Sequence, residues 1–258
     1  MAGGPVRGQG DHLLQWPMMR FPRAILFDLD ETLLSFGDRI DQIRAAVAEG
    51  GDYGPLSQDQ VVETVEAAFR AHWADPARHK AWRAKPLIEA RRSIARDAFE
   101  ALAAAGCARL TTAAADRFAE RFHAIREGQI RLYPEAIETL DALGAAGVRL
   151  ALVTNGQGDV QRAKIERFDL ERRFDHVQIE GEHGFGKPEP QAYHHALGRL
   201  QTQPNQAWMV GDNLEWEVIA PQSLGLHAIW FDPRGRGLPP DSPARPDRII
   251  ARLGQLLG

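Results

Sequence analysis

Two aspartates separated by one residue close an apolar run in the segment Phe27-Asp28-Leu29-Asp30-Glu31-Thr32. The run Ala24 to Phe27 is short, follows Pro22 and is rich in β-formers, which predicts a buried strand that delivers both carboxylates at its end. In a parallel sheet that end is where ligands bind, and like charges crowded there need a cation or a shared proton. Carboxylates so placed can attack an electrophile, move a proton or hold a hard metal ion. Taken alone, the pair fits an ordinary turn just as well, because Asp hydrogen-bonds its own backbone after a strand.

Three further segments bear on the choice. Val148 to Val153, interrupted only by Arg149, ends in Thr154-Asn155-Gly156, a hydroxyl, an amide and a flexible turn. Lys187-Pro188 follows the Gly-rich stretch Gly181 to Gly186, with Pro188 placed to open a helix. Ala207 to Val210 leads into Gly211-Asp212-Asn213, and Glu217 lies five residues beyond Asp212. Singly, these read as a turn, a surface lysine and a helix cap. Jointly, they would present an acid pair, a hydroxyl, an ammonium and a second acid pair toward one place.

In this order and context the chain resembles the haloacid dehalogenase superfamily of hydrolases over roughly residues 23 to 232. Asp28-x-Asp30-x-Thr32 stands as its first motif, Thr154 as its second, Lys187 as its third, and Gly211-Asp212 with Glu217 as its fourth. The resemblance implies a phosphate monoester as substrate, with Asp28 forming an aspartyl phosphate. Asp30 would protonate the leaving oxygen and then deprotonate the attacking water. Thr154, Asn155 and Lys187 would bind the phosphoryl oxygens. Carboxylate, carbonyl and water donors suit Mg²⁺, which by resemblance would be held by Asp28, the main-chain carbonyl of Asp30 and Asp212. Thr32, Gly156, Asn213 and Glu217 would be accessory.

Glu217 departs from the Asp common at its position, and its extra methylene leaves direct and indirect roles toward the metal both open. Pro221 falls where a helix should follow, so that helix either starts near Val218 or kinks. Asp30 favours a phosphatase over a dehalogenase, because halide leaves without a proton. A phosphomutase of the β-phosphoglucomutase type shares the core residues, and a haloacid dehalogenase is a further alternative. An inactive phospho-ligand-binding or interaction protein is the reading from outside enzymes. A phosphonate-cleaving reading would need a Schiff-base lysine, and the flanks of Lys80 and Lys85 mark neither. The string Thr154-Asn155-Gly156 with Gln161 and Lys164, then Gly211 to Glu215, looks most like small-metabolite phosphatases of the sialic-acid-phosphate and nucleotide 5′-phosphatase type.

These residues need a scaffold of strands and helices in alternation. Phe174 to Ile179 and His227 to Phe231 read as further strands and Arg248-Ile249-Ile250 as an edge strand, while Ile137 to Ala146, Val160 to Arg167 and Pro190 to Leu200 read as helices. The fold class is α/β, a doubly wound, Rossmann-like parallel sheet with an inserted helical cap. More than a hundred residues separate the first two motifs, too many for a simple crossover. Asp38 to Ala48, Gln58 to Trp73, Leu87 to Ala105 and Thr111 to Ile125 carry apolar residues at helical spacing. The expected division is a core of 21–35 and 132–258 with a cap of 36–131. A closing cap would exclude water and read the leaving group. Its densest cationic and aromatic set is Arg70, His72, Trp73, His79, Lys80 and Trp82, with Arg91 and Arg92 behind them. Core packing and solvated charge explain the same set. Trp216 and Trp230 read as packing residues near the fourth motif.

Of the 258 residues, 44% are hydrophobic and 26% charged, enough for one sizeable core and a subdomain. Lys and Arg number 31 against 35 Asp and Glu, so a net charge of −4 offers no basic field for nucleic acid. The single Cys107 cannot form an internal disulfide and suits a reducing cytoplasm. No run reaches the ~18 apolar residues of a membrane span. The expected partner is a small phosphorylated metabolite, not nucleic acid or membrane, and nothing bears on oligomeric state. Residues 1–20 are expected to stay disordered outside the fold, or to reflect a start codon upstream of the true one at Met18 or Met19.

Overall fold

The computed structural model describes residues 21–50, 53–74, 78, 81–82, 85–107 and 110–258. The expected N-terminal extension, and with it His79 and Lys80, lies outside these. Six strands make one parallel sheet in the order β5-β4-β1-β6-β7-β8, with β1 Ala24–Phe27, β4 Arg149–Thr154, β5 His176–Ile179, β6 Ala207–Gly211, β7 His227–Phe231 and β8 Arg248–Ile250. All four residues of β1 are buried, as a central parallel strand covered on both faces requires. Successive side chains point to opposite faces. Ile25 and Phe27 therefore join one layer with Leu150, Leu152 and Leu140, whereas Ala24 and Leu26 join the other with Ala151, Val153 and Tyr193. The helices α5 Ala136–Ala145 and α8 Pro190–Arg199 supply the two covers.

Register brings the motifs level. Phe27 pairs with Leu152 of β4 and with Val210 of β6, so Asp28, Thr154 and Asp212 follow at three adjacent strand ends. The doubly wound sheet expected from the sequence is present.

A second apolar core lies between β1 and β4 in sequence. Helices α1 Arg39–Ala48, α2 Gln58–Trp73, α3 Leu87–Ala104 and α4 Thr112–Gly128 pack Val61, Val65, Phe69, Phe99, Phe118 and Phe122 against one another. Their starts are capped by local chemistry. Asp38 accepts from the backbone N–H groups of Ile40 and Asp41, Ser57 and Gln60 form a reciprocal capping box, and Thr111 accepts from Ala114. Cys107 is buried in this core and its thiol donates to the carbonyl of Tyr53. The chain passes in and out through a two-stranded antiparallel stem, β2 Leu34–Ser35 against β3 Arg131–Leu132.

Two local expectations are corrected. Pro188 does not open a helix: the Lys187-Pro188 bond is cis, and α8 begins two residues later with Pro190 in its first turn. The Gly-rich stretch before it holds a short helix, α7 Glu180–His183. At the fourth motif the helical path starts at Leu214, ahead of the Val218 expected for it. A π-helical segment spans Leu214–Ile219, and a short α-helix, α9 Ala220–Ser223, starts around Pro221, whose missing N–H falls in the first turn.

Candidate active site

Asp28 leaves β1 with its backbone N–H donating to the Val210 carbonyl at 3.0 Å. The chain then folds tightly back, with Glu31 in the left-handed region at φ 61° and its N–H on the Leu34 carbonyl at 2.6 Å. This turn returns Thr32 beneath Asp28, where its hydroxyl donates to Oδ2 at 3.1 Å. Lys187 Nζ donates to the other oxygen, Oδ1, at 2.6 Å. The same ammonium lies 2.7 Å from Oε1 of Glu217.

This carboxylate–ammonium–carboxylate row is buried, Lys187 and Glu217 completely. Burial disfavours the Lys187 charge, but Asp28 and Glu217 outweigh it and raise its pKa above the ordinary lysine value. Burial raises Asp28, against the opposing pull of Lys187. Burial also lifts Glu217 to about 7, again with Lys187 opposing. Glu217 Oε2 accepts the Asn213 N–H at 2.7 Å, so protein donors engage both of its oxygens. Gly211 makes room for this, because a Cβ there would overlap the Glu217 side chain.

Asp212 is different. Among the described residues no group donates a hydrogen bond to its carboxylate. Burial, then the charges of Glu217 and Asp28, raise it well above the usual range. Its backbone carbonyl accepts from Trp230 Nε1 at 2.7 Å, so that tryptophan fixes the loop as well as packing. A concentration of acids with one buried lysine between them lacks positive charge. With only oxygen donors at hand, the set fits a hard dication such as Mg²⁺.

Asp30 lies under a separate clamp. Lys164 Nζ donates to its two oxygens at 3.0 and 2.8 Å, and Gln161 Nε2 to Oδ2 at 3.1 Å. The Gln161 amide also reaches Thr154 Oγ1 at 2.6 Å, which ties the first motif to the second. Gln161 and Lys164 share one face of α6 Gly158–Arg167, three residues apart. Asn155 and Lys187 exchange amide hydrogen bonds: Asn155 Nδ2 donates to the Lys187 carbonyl at 2.7 Å, and the Lys187 N–H donates to Asn155 Oδ1 at 2.9 Å. Gly156 N–H donates to Glu180 Oε2 at 3.0 Å. The sequence-derived residues Asp28, Asp30, Thr154, Asn155, Lys187, Asp212 and Glu217 are thus assembled at one place, with Thr32, Gly156 and Asn213 supporting them.

A cavity of about 480 Å³ opens above these groups. Its far side is lined by Trp73, Trp82, Lys85 and Leu87 from the helical unit, and by Trp216. Trp216 therefore borders the cavity, which the packing reading did not anticipate. A neighbouring cavity of about 540 Å³ shares Glu31, Arg39, Arg126 and Asp212 with it and contains Arg70. His72 is buried beside the rings of Trp73 and Trp82 and supports them. Arg91 and Arg92 turn elsewhere, Arg91 to His123 and Glu127, Arg92 to Glu89 and Glu120. Sequence reading missed Arg126, which lies 3.5 Å from Glu31 Oε1 and over the Phe36 ring, and Arg39, which grips Glu66 at 2.7 and 2.9 Å. Neither sits in a motif. Lys164 and Gln161 carried a signal in their helical spacing after Thr154.

The model of the haloacid dehalogenase-like hydrolase family matches residues 22–225. A phosphoserine phosphatase of Thermus thermophilus is 35% identical, over 91% of this chain and 97% of its own. The crystal structure of a 2-haloacid dehalogenase from Pseudomonas syringae is 28% identical, with a TM-score of 0.54 over 92% of this chain and 96% of that one. The HAD-hydrolase YfnB of Bacillus subtilis shares the fold at a TM-score of 0.64, with 22% identity over 92% of this chain and 97% of its own.

Proposed function

From the premise that this chain belongs to the haloacid dehalogenase-like hydrolases, and is an enzyme, we propose that it is a phosphatase for small phosphate monoesters acting through an aspartyl phosphate. The observation that carries this is the pair Asp28 and Asp30 on one cavity wall, with Lys187 Nζ 2.6 Å from Asp28 Oδ1. An Asp28 oxygen forms a bond to phosphorus as the bond to the ester oxygen breaks. That oxygen leaves with a proton from Asp30. Water then attacks the phosphorus of the aspartyl phosphate, gives its proton to Asp30 and releases inorganic phosphate, which restores both carboxyl groups.

Each remaining residue has a task in that cycle. Lys187 holds the nucleophile and faces the charge of the transferring phosphoryl group, and Glu217 holds Lys187. Thr154 Oγ1 and the N–H groups around Asn155 would bind the phosphoryl oxygens. Asp30 starts clamped by Lys164 and Gln161, so its proton transfer requires the carboxyl to swing from them toward the cavity. Asp28, Asp212 and the Asp30 carbonyl would hold Mg²⁺, which supplies charge neutralisation and orientation of the phosphate. Asp30 argues against halide departure, which needs no proton.

The helices from 39 to 128 are read as a cap inserted between 36 and 131 in a core of 21–35 and 132–258. Arg39, Arg126 and Lys85, which line the same cavity as Glu31, would suit a leaving group that carries both a carboxylate and an ammonium. Such a leaving group is consistent with the phosphoserine phosphatase relative.

The test is phosphate release from phosphoserine, sugar phosphates, nucleoside monophosphates and an aryl phosphate, with Mg²⁺ and with chelator, for the native chain and Asp28→Asn. Metal-dependent turnover lost in Asp28→Asn is the expected result. Turnover that survives the substitution, or none from any compound, overturns the reading, and a phosphorylated product isomer in place of free phosphate points to a mutase.

A further inference from the structure

At the outer edge of the sheet, outside the lining of the carboxylate cavity, three imidazoles converge. His176 opens β5, His183 ends α7 and His195 lies on α8. One ring nitrogen from each lies within 4.8 Å of the others. The ring centroids stand 5.0, 5.3 and 6.1 Å apart, and the Phe185 ring walls the group beside His183 and His195. No step of the hydrolysis uses any of them.

Hydrogen bonds behind two of the rings decide where their lone pairs are. His183 Nδ1 is 3.0 Å from the carbonyl oxygen of Ile179, which can only accept, so Nδ1 carries the proton and Nε2 the lone pair. His195 Nδ1 is 2.8 Å from Oε1 of Gln178, and that amide is oriented by its own Nε2 donating to the Ala192 carbonyl at 3.0 Å. His195 therefore also keeps its lone pair on Nε2. His176 Nε2 is buried and, among the described residues, has no hydrogen-bond partner. An imidazole nitrogen buried without a partner is costly unless something else satisfies it.

We propose that His176, His183 and His195 bind a divalent transition-metal ion, Zn²⁺ in the first instance, at a site separate from the carboxylate cavity. Imidazole selects zinc and its neighbours over Mg²⁺, so the two centres sort their metals by ligand chemistry. An outer hydrogen bond from Nδ1–H to a carbonyl or amide oxygen is how metal-binding histidines are commonly oriented. With Zn–N at about 2.0–2.1 Å, tetrahedral ligands stand roughly 3.4 Å apart, so the ring nitrogens close by up to about 1.4 Å on loading. Three nitrogens leave the fourth position to water. The ion would pin α7 and α8 to β5, and Glu180 at the start of α7 holds Gly156 of the catalytic loop.

The experiment is calorimetric Zn²⁺ titration of the untagged full chain in Mg²⁺ buffer, beside His176→Ala, His195→Ala, the exposed control His194→Ala, and Asp212→Asn. The Co²⁺ absorption spectrum of the native chain is recorded in parallel. Expected are one equivalent of Zn²⁺ in the native chain, His194→Ala and Asp212→Asn, affinity weaker by roughly tenfold or more in each cluster variant, and the intense d–d bands of a four-coordinate Co²⁺ site. Metal-free melting temperatures check that the variants fold, and the Co²⁺ spectrum reads the coordination without any substitution. Zn²⁺ bound equally by the cluster variants, lost only in Asp212→Asn, or not bound at all, overturns the proposal, as does a six-coordinate Co²⁺ spectrum.

Discussion

Asp28 and Glu217 line the floor of the cavity with Lys187 between them and no side chain more than 10% exposed, while Trp73, Trp82 and Lys85 line its far side from the helical unit, whose apolar core is separate. The floor groups come from three neighbouring strand ends or the loops beside them, and are cross-linked by hydrogen bonds between segments more than a hundred residues apart. The far-side groups are joined to the sheet chiefly through the β2–β3 stem and a few contacts such as Arg234 with Asp38 at 2.9 Å. A rigid floor is what electrostatic stabilisation of a transferring phosphoryl group demands, since donors that must reorganise lose their advantage. The far side can change its residues without disturbing that arrangement, and substrate choice can reside there.

The largest effect expected from breaking the floor is that of Lys187→Ala. It should lower kcat about 10³-fold and destabilise the fold by about 3 kcal/mol, because two buried carboxyl groups lose their common partner. Phosphate release and urea unfolding measure the two parts, and an active, equally stable variant would remove Lys187 from the centre of the site. Asp30→Asn should slow alkyl phosphate turnover about 10²- to 10³-fold. With an aryl phosphate, whose leaving group needs little help, it should give a stoichiometric burst of phenol and then stall, because the second step still lacks its base.

Metal and pH sharpen the same contrast. Burial lifts Glu217 to about 7 and raises Asp28 and Asp212, so these groups bind more protons folded than unfolded. Their stabilising contribution is complete below the ordinary carboxylate range and is lost as pH rises through each raised value, which for Glu217 is about 7. On the proposed reading Mg²⁺ would take the place of the protons on Asp28 and Asp212. The stabilisation it brings, read as a rise in melting temperature, should be larger at pH 8 than at pH 5, approaching about 2.7 kcal/mol at a hundred times its Kd, and Asp212→Asn should abolish it. The smallest effect belongs to the far side: Trp82→Ala should raise KM about tenfold for the preferred substrate, roughly 1.4 kcal/mol, with kcat nearly unchanged. A fall in kcat instead would place Trp82 in the chemical step.

Much of the floor was legible in sequence because its motifs are contiguous and each closes an apolar strand, so local pattern and position coincide at Asp28, Thr154 and Asp212. The helix positions of the inserted unit were legible through the apolar residues at helical spacing. Pro188 misled because proline at a helix start and proline in a cis turn share one local signature, and only the packing around Asn155 and Lys187 separates them. Arg126 and Arg39 escaped notice because a long cationic side chain on a helix looks alike whether it faces water or a cavity. The three histidines were equally silent, spread over twenty residues of strand, turn and helix.

The sequence by itself determined the α/β order of elements, the strand ends that carry the acids and the family to which they point, since these depend on residue type and near neighbours. Only the tertiary structure decided that Glu217 spends both oxygens on Lys187 and Asn213, that Lys164 and Gln161 restrain Asp30, and that Trp73, Trp82 and Lys85 face the acids across the cavity. Those outcomes depend on the register of β4, β1 and β6 and on where a separate helical core comes to rest. Such distances are fixed by packing between segments far apart in the chain, which no local pattern encodes.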